Sequence, residues 1–182
     1  MRRSNPLEGR KRRGNRLLAW AVALTLVWLA LASRVHVNAS WSDGAWGYLM
    51  LPLPGAPGRG ESVVFEPLEA VGSPVPYLKT VHGLPGDRVE VDGNRRVRVN
   101  GKVLGIAKTH ARDGRPLKIT RPGVIPPDRY YVHADHADSH DSRYAEIGLV
   151  AREQILGRAL ALPDIPWLGL EGSLAGRGEE QP

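Results

Sequence analysis

Lys79 is the residue of this chain whose setting most suggests chemistry. It opens the stretch KTVHGLPGDRV (79–89), with Tyr77 two positions before it and Val81 two after. On an extended strand, residues two apart share a face, so Lys79 would share an apolar one. Burial disfavours an ammonium and lowers a lysine's pKa from its reference of about 10.4. A lysine neutral near pH 7 can act as a general base. The plainer reading is a packed stem whose amine reaches water. The other lysines beyond the N-terminal segment are less suited. Lys102 follows an Asn-Gly turn, and Lys108 and Lys118 stand in polar stretches. The chain has no cysteine, which excludes disulfides and thiolate zinc sites. G-x-S-x-G, H-E-x-x-H, P-loop and G-x-G-x-x-G signatures are absent. What remains is serine with lysine.

Three histidines, His133, His136 and His140, alternate with Asp135, Asp138 and Asp141. Such a run offers divalent-metal ligands, but its spacing fits no standard motif. It is read as a solvated loop, with no metal and no cofactor expected. A Ser-His-Asp triad can be assembled from these residues only on paper, because nothing in their spacing supports it.

The elements that would position Lys79 are β-rich. ESVVFEP (61–67) is a short apolar run with β-branched residues. DRVEVDGNRRVRVNGKVL (87–104) alternates valine with charge at period two, broken by Asp92-Gly93 and Asn100-Gly101, both strong hairpin signals. RYYVHAD (129–135) is a further strand candidate, and LPLPGAPGRG (51–60) is loop. No long stretch of period 3.6 lies beyond residue 33. Ahead of this region, Leu17–Ala32 is free of charge and as a helix would span about 24 Å. Ser33 and the stems of Arg16 and Arg34 extend it towards the roughly 30 Å of a hydrocarbon core. The net charge of +6 lies wholly in residues 1–16, where seven basic residues face Glu8 alone. The excess is therefore a tail and not a nucleic-acid-binding face. It places the N-terminus in the cytoplasm and the rest outside. A cleavable signal peptide ending at Ala30-Leu31-Ala32 is the competing reading, and it too exports the β-rich region. The expected organisation is a basic cytoplasmic tail (1–16), a transmembrane anchor (17–33), a mainly antiparallel β-domain (34–168) and a flexible C-terminal tail (169–182).

Three blocks stand in a fixed order: NASWSDGAWGY (38–48), KTVHGLPGD (79–87) and DSHDSRYAEIG (138–148). Together they resemble the membrane-anchored type I signal peptidases, serine endopeptidases, and within them the conjugative-transfer signal peptidases of the TraF type. Asn38, Ser40, Ser42 and Tyr48 fall on the first family block. Lys79, Val81, Gly83, Leu84, Pro85, Gly86 and Asp87 match the lysine block. Ser139, Asp141, Ser142, Arg143 and Tyr144 match the last, and Gly60, Glu61, Val63 and Phe65 a weaker one. The first block departs from the pattern: Asp43 and Gly44 come after Ser42, and Trp46 stands where a glycine is usual. Glu146 and Ile147 are extra residues before Gly148.

The resemblance implies a signal-peptidase-like β-domain and a Ser/Lys hydrolase. Ser42 would be the nucleophile and Lys79 its base. The Ser42 N–H and the Ser40 hydroxyl would line the oxyanion hole. Ser139 would hold the Lys79 amine in line, and Asp141 and Arg143 would brace that turn. The implied location is the bacterial inner membrane, single-pass, with the catalytic part extracytoplasmic. The implied partners are the bilayer and an exported precursor with an Ala-x-Ala-like site, a pilin or other conjugation or type IV secretion subunit. Two other functions remain open. One is a housekeeping type I signal peptidase. The other is a catalytically silent membrane-anchored β-domain that binds a secretion partner, which the altered SDGAW stretch favours.

Overall fold

The computed structural model describes residues 6–38, 44–68, 73 and 75–172. The chain divides into two units, Met1–Val35 and His36–Pro182. The first is built on helix α1, Pro6–Ala32. Proline suits a first helical turn, where its missing N–H would have no partner anyway. The 27 residues extend about 40 Å. The helix thus begins well before the apolar run and takes in the basic residues 10–13. Asn15–Ala32 is long and apolar enough to cross a membrane, and none of it is buried within the chain. Leu17, Leu18, Trp20, Leu24 and Trp28 all face outward. The hydroxyls of Thr25 and Ser33 donate back to the Ala21 and Ala30 carbonyls, each at 2.9 Å, so these polar groups are satisfied inside the helix.

The second unit is antiparallel β. In chain order its strands are β1 Val35–Val37, β2 Gly47–Leu51, β3 Ser62–Phe65, β4 Tyr77–Gly83, β5 Arg88–Val91, β6 Arg96–Val99, β7 Lys102–Ile106, β8 Gly123–Val124, β9 Arg129–His133, β10 Val150–Ala151 and β11 Ile155–Ala161. A seven-stranded sheet runs β1-β2-β11-β3-β4-β9-β10, and a four-stranded one β7-β6-β5-β8. The period-two segment 87–104 becomes β5, β6 and the start of β7. At its second turn Asn100 and Gly101 both take positive φ, 49° and 78°, as a two-residue hairpin of this kind needs. The first turn differs from the expected Asp-Gly hairpin. It is longer, and Arg95, not Gly93, takes the left-handed backbone at φ 61°. Arg95 tolerates this because its guanidinium is held by the carbonyls of Ala107, Lys108 and Leu117 at 2.7–3.1 Å.

β9 lies between two cores. Tyr130 and Val132 point into one with Val63, Phe65, Val81, Val150 and Ile155. Tyr131 points the other way, to Val89, Val97, Val99, Ile125 and Tyr144. Gly83 ends β4 at the second core. A Cβ there would come within 2.5 Å of Ile125 Cδ1 and 2.8 Å of Tyr131 Cβ, so only glycine fits. The turn after it is closed by Asp87 N–H to the Leu84 carbonyl at 3.0 Å, with Gly86 at φ 90°. The Asp87 carboxylate accepts from Leu84 N–H, Arg59 and Asn100 at 2.5–2.6 Å. Burial would raise its pKa, but these bonds outweigh it and hold the group below the ordinary value.

Candidate active site

Lys79 is central in β4, where Lys79, Val81 and Gly83 form the buried face. It is 6% exposed, whereas Lys102, Lys108 and Lys118 are exposed. Its cross-strand partner on β3 is Val63, which is fully buried. Its Nζ lies 5.7 Å from the centre of the Tyr77 ring, two residues back on the same face. The expected apolar setting is therefore what the strand provides.

Residues 134–144 fold back beside β9. Ser142 makes the closure: its N–H donates to the Val132 carbonyl at 3.0 Å, and its Oγ accepts the Val132 N–H at 2.9 Å. This brings Ser139, Asp141 and Arg143 into the interior, each 3% exposed or less. Arg143 and Asp141 form a forked ion pair, with Nε 2.9 Å from Oδ1 and Nη2 3.0 Å from Oδ2. Nη2 also donates to the carbonyls of Ser139 at 3.0 Å and His136 at 3.1 Å, clamping the turn from inside. Burial alone would raise the Asp141 pKa. The bonds from His133 and Arg143 reverse the sign and keep it ionised. Ser139 Oγ is buried and has no hydrogen-bond partner among the described residues.

His140 connects this turn to the lysine. Its ring meets the Tyr77 ring at 6.4 Å and the Tyr144 ring at 5.5 Å. Burial lowers its pKa, and the nearby Arg115 charge adds to the effect. A cleft of about 340 Å³ opens at this point, lined by Tyr77, His140, Tyr144, Lys108, Arg112 and Asp138 among others. Asp138 pairs with Arg112 at 2.8 Å and with Lys108 on its rim.

Ser40 and Ser42 lie outside the described residues, as does Asp43. Their flanks are firmly held. Asn38 N–H donates to the Trp46 carbonyl and its Nδ2 to the Ala45 carbonyl, both at 2.8 Å. The Trp46 indole donates to the Pro163 carbonyl at 2.8 Å. Tyr48 lies next along the chain on β2, opposite Ala161. The structure thus brings Lys79, Ser139, Asp141 and Arg143 into one region of the β-unit.

The histidine run is not a solvated loop throughout. His133 is 2% exposed, with Nδ1 2.8 Å from Asp141 Oδ2 and its ring 5.4 Å from that of His82. The turn that buries Asp141 also covers the end of β9, which the alternation of His and Asp does not reveal. Among the described residues no group of His, Cys, Asp and Glu is arranged to hold a metal ion.

Known proteins of similar sequence agree in kind. The model of the family described as "Signal peptidase, peptidase S26" matches residues 12–162. A Sinorhizobium fredii (strain NBRC 101917 / NGR234) protein described as "Probable conjugal transfer protein TraF" is 28% identical over 84% of this chain and 92% of its own. "Signal peptidase I S" of Bacillus subtilis (strain 168) is 31% identical over 78% of this chain and 85% of its own. "Signal peptidase I" of Leptolyngbya laminosa is 36% identical over 57% of this chain and 51% of its own. Among solved structures, a signal peptidase I from Enterococcus faecalis V583 matches with a TM-score of 0.36 and 21% identity, over 60% of this chain and 98% of that one. With a family match spanning most of its length, this chain belongs to the signal peptidase family, peptidase S26.

Proposed function

We propose that this protein is a membrane-anchored serine endopeptidase that removes signal segments from exported precursors, with Ser42 as nucleophile and Lys79 as general base. The observation that carries the reading is the burial of Lys79 on the apolar face of β4, over the Tyr77 ring that meets His140 of the Ser139–Arg143 turn. An amine among apolar groups is held towards its neutral form and can accept a proton. Lys79 takes the Ser42 hydroxyl proton as the oxygen attacks the scissile carbonyl. The tetrahedral intermediate collapses to an acyl-enzyme, and the departing amine receives that proton from Lys79. Water, deprotonated by Lys79, then attacks the acyl carbon and frees Ser42. The Ser42 N–H and the Ser40 hydroxyl stabilise the oxyanion. Ser139, whose buried hydroxyl is unpaired among the described residues, would turn to align the lysine amine, and Asp141 with Arg143 holds the Ser139 turn.

Helix α1 anchors the protein in the inner membrane, with the β-unit on the extracytoplasmic side. The substrate's signal segment lies in the same bilayer, and the cut comes after small residues in an Ala-x-Ala-like site. The relative described as a conjugal transfer protein supports a pilin or other subunit of a conjugation or type IV secretion apparatus as the substrate. The relatives described as signal peptidase I support a second reading, a general processing enzyme. The test is cleavage in membranes of a pilin precursor and of a generic Ala-x-Ala precursor by wild type, Ser42→Ala, Ser40→Ala and Lys79→Ala. Loss of cutting in both Ser42→Ala and Lys79→Ala upholds the dyad. Activity in Ser42→Ala with loss in Ser40→Ala transfers the nucleophile to Ser40. Preference between the two precursors separates the dedicated enzyme from the general one.

A further inference from the structure

We propose that His133 is a positioning residue for this reaction, orienting the Asp141–Arg143 pair that clamps the Ser139 turn. The proposal rests on the reading of Lys79 as the base.

His133 is the last residue of β9. Alternation along the strand sends Val132 into the core with Val81 and turns His133 to the opposite face, where its ladder partner is Thr80. An imidazole this buried requires a polar partner, and it has one within bonding distance, Asp141 Oδ2 at 2.8 Å. Because Asp141 is held ionised, it can only accept. Nδ1 therefore carries the proton and donates. Nε2 lies 3.8 Å from Asp135 Oδ1, beyond hydrogen-bond reach, so one tautomer is selected. The His82 ring packs edge-on at 78° and restricts rotation of the imidazole.

The geometry reads as a relay of fixed contacts. Asp141 Oδ1 accepts from the Arg143 N–H at 3.1 Å and its Nε at 2.9 Å. Oδ2 accepts from Arg143 Nη2 at 3.0 Å, from the Ala134 N–H at 3.2 Å and from His133. The Ser142 bonds to Val132 pin the backbone of the turn, but the Arg143 fork sits on the same turn as Asp141 and does not fix the carboxylate against the sheet. His133 is the side-chain donor that ties the carboxylate to the sheet. From there the hold passes to Arg143 Nη2 and on to the Ser139 carbonyl. Without it the Asp141–Arg143 pair loses its fixed orientation, the clamp on the Ser139 carbonyl loosens, and the alignment of Lys79 suffers more than substrate binding does.

The test uses the full chain in detergent micelles and a precursor-derived peptide, comparing His133→Asn with His133→Leu. These side chains are close in shape, but only asparagine offers an N–H near the place of Nδ1. His133→Asn should keep kcat within about threefold of wild type, while His133→Leu should lose about 10–100-fold in kcat with KM nearly unchanged. Equal kcat in the two variants overturns the proposal. Should the leucine variant fail to fold, ¹⁵N NMR of histidine-labelled wild type decides. An Nδ1-protonated His133 whose resonance moves in Asp141→Asn is the expected result, and an Nε2-protonated ring overturns the proposal. Lys79→Ala separates the two failures. Activity kept there removes the Ser/Lys reading and this proposal together. Activity lost there, with equal kcat in the His133 pair, removes this proposal alone.

Discussion

Lys79 and Val63 are directly opposed in the antiparallel β3–β4 ladder, and both are buried. Opposed residues share a face, so the side chain beside the lysine stem is one that offers its amine no counter-charge. Val63→Asp would place a carboxylate there and favour the ammonium form. Its kcat/KM at pH 7 should fall by about tenfold or more, with the acid limb of the pH–rate profile moving about a unit or more towards higher pH. Val63→Thr, similar in shape and uncharged, should leave the limb in place. A folded Val63→Asp enzyme with an unmoved limb would argue against Lys79 as the base.

The Asp141–Arg143 pair should show a large difference between loss of charge and loss of shape. Arg143→Leu leaves a buried carboxylate without its cation, and breaking such a pair costs about 3–5 kcal/mol. Arg143→Lys keeps the charge but loses the planar fork that reaches Asp141 and the Ser139 and His136 carbonyls together. It should cost less in stability than the leucine variant while still lowering kcat. Denaturant midpoints and kcat measured on the same preparations check both statements, and two variants of equal stability would contradict the first.

Local patterns carried much of the fold. Valine alternation over 87–104 marks β5 to β7, because a period of two is a property of neighbours. Asn100-Gly101 marks its turn, because both residues tolerate positive φ. The apolar face of Lys79 is legible for the same reason, from Tyr77 and Val81 alone. Pairings across long separations are not. β2 and β11 join Leu51 to Arg158, and ILGRALA carries little β-branched character and is exposed on alternate residues. His133 is a similar case. Alternating His and Asp reads the same whether solvated or enclosed, and only the Ser142 bonds to Val132 bring Asp141 to the end of β9. At Asp92 the hairpin departs from the expected two-residue turn because Arg95 is fixed by carbonyls 12 to 22 residues away.

Gly83 should tolerate no side chain. A methyl group there would meet Tyr131 Cβ at 2.8 Å, an atom fixed to the β9 backbone, and Ile125 Cδ1 at 2.5 Å. The isoleucine can rotate, but the tyrosine Cβ cannot move without its strand. Gly83→Ala should therefore destabilise the protein by about 1–3 kcal/mol through overpacking. Because Gly83 shares β4 with Lys79, kcat should fall as well. Gly93→Ala is the control, since nothing lies within 4 Å of a Cβ there. Equal unfolding midpoints for the two variants would show that β4 does not approach β9 this closely.

Stability should fall on mild acidification because of two half-buried imidazoles, His82 and His140. Burial is the largest cause lowering the pKa of His82. The Lys102 charge adds to it, and Asp135 and Asp141 oppose it. Burial likewise lowers the pKa of His140, with Glu146 and Asp141 opposing and Arg115 adding. A group with a depressed folded pKa binds its proton more readily in the unfolded chain. The contribution of the neutral rings is thus complete above the ordinary histidine value of about 6.5 and is lost as pH falls through it towards the lower folded values. Asp141, also depressed, loses its contribution only below the ordinary aspartate value of about 3.9, outside this window. The Tm in detergent should therefore drop between pH 7.5 and pH 5. In the double variant His82→Gln, His140→Gln the same interval should be flatter. Identical slopes for wild type and the double variant would assign the acid sensitivity to other groups.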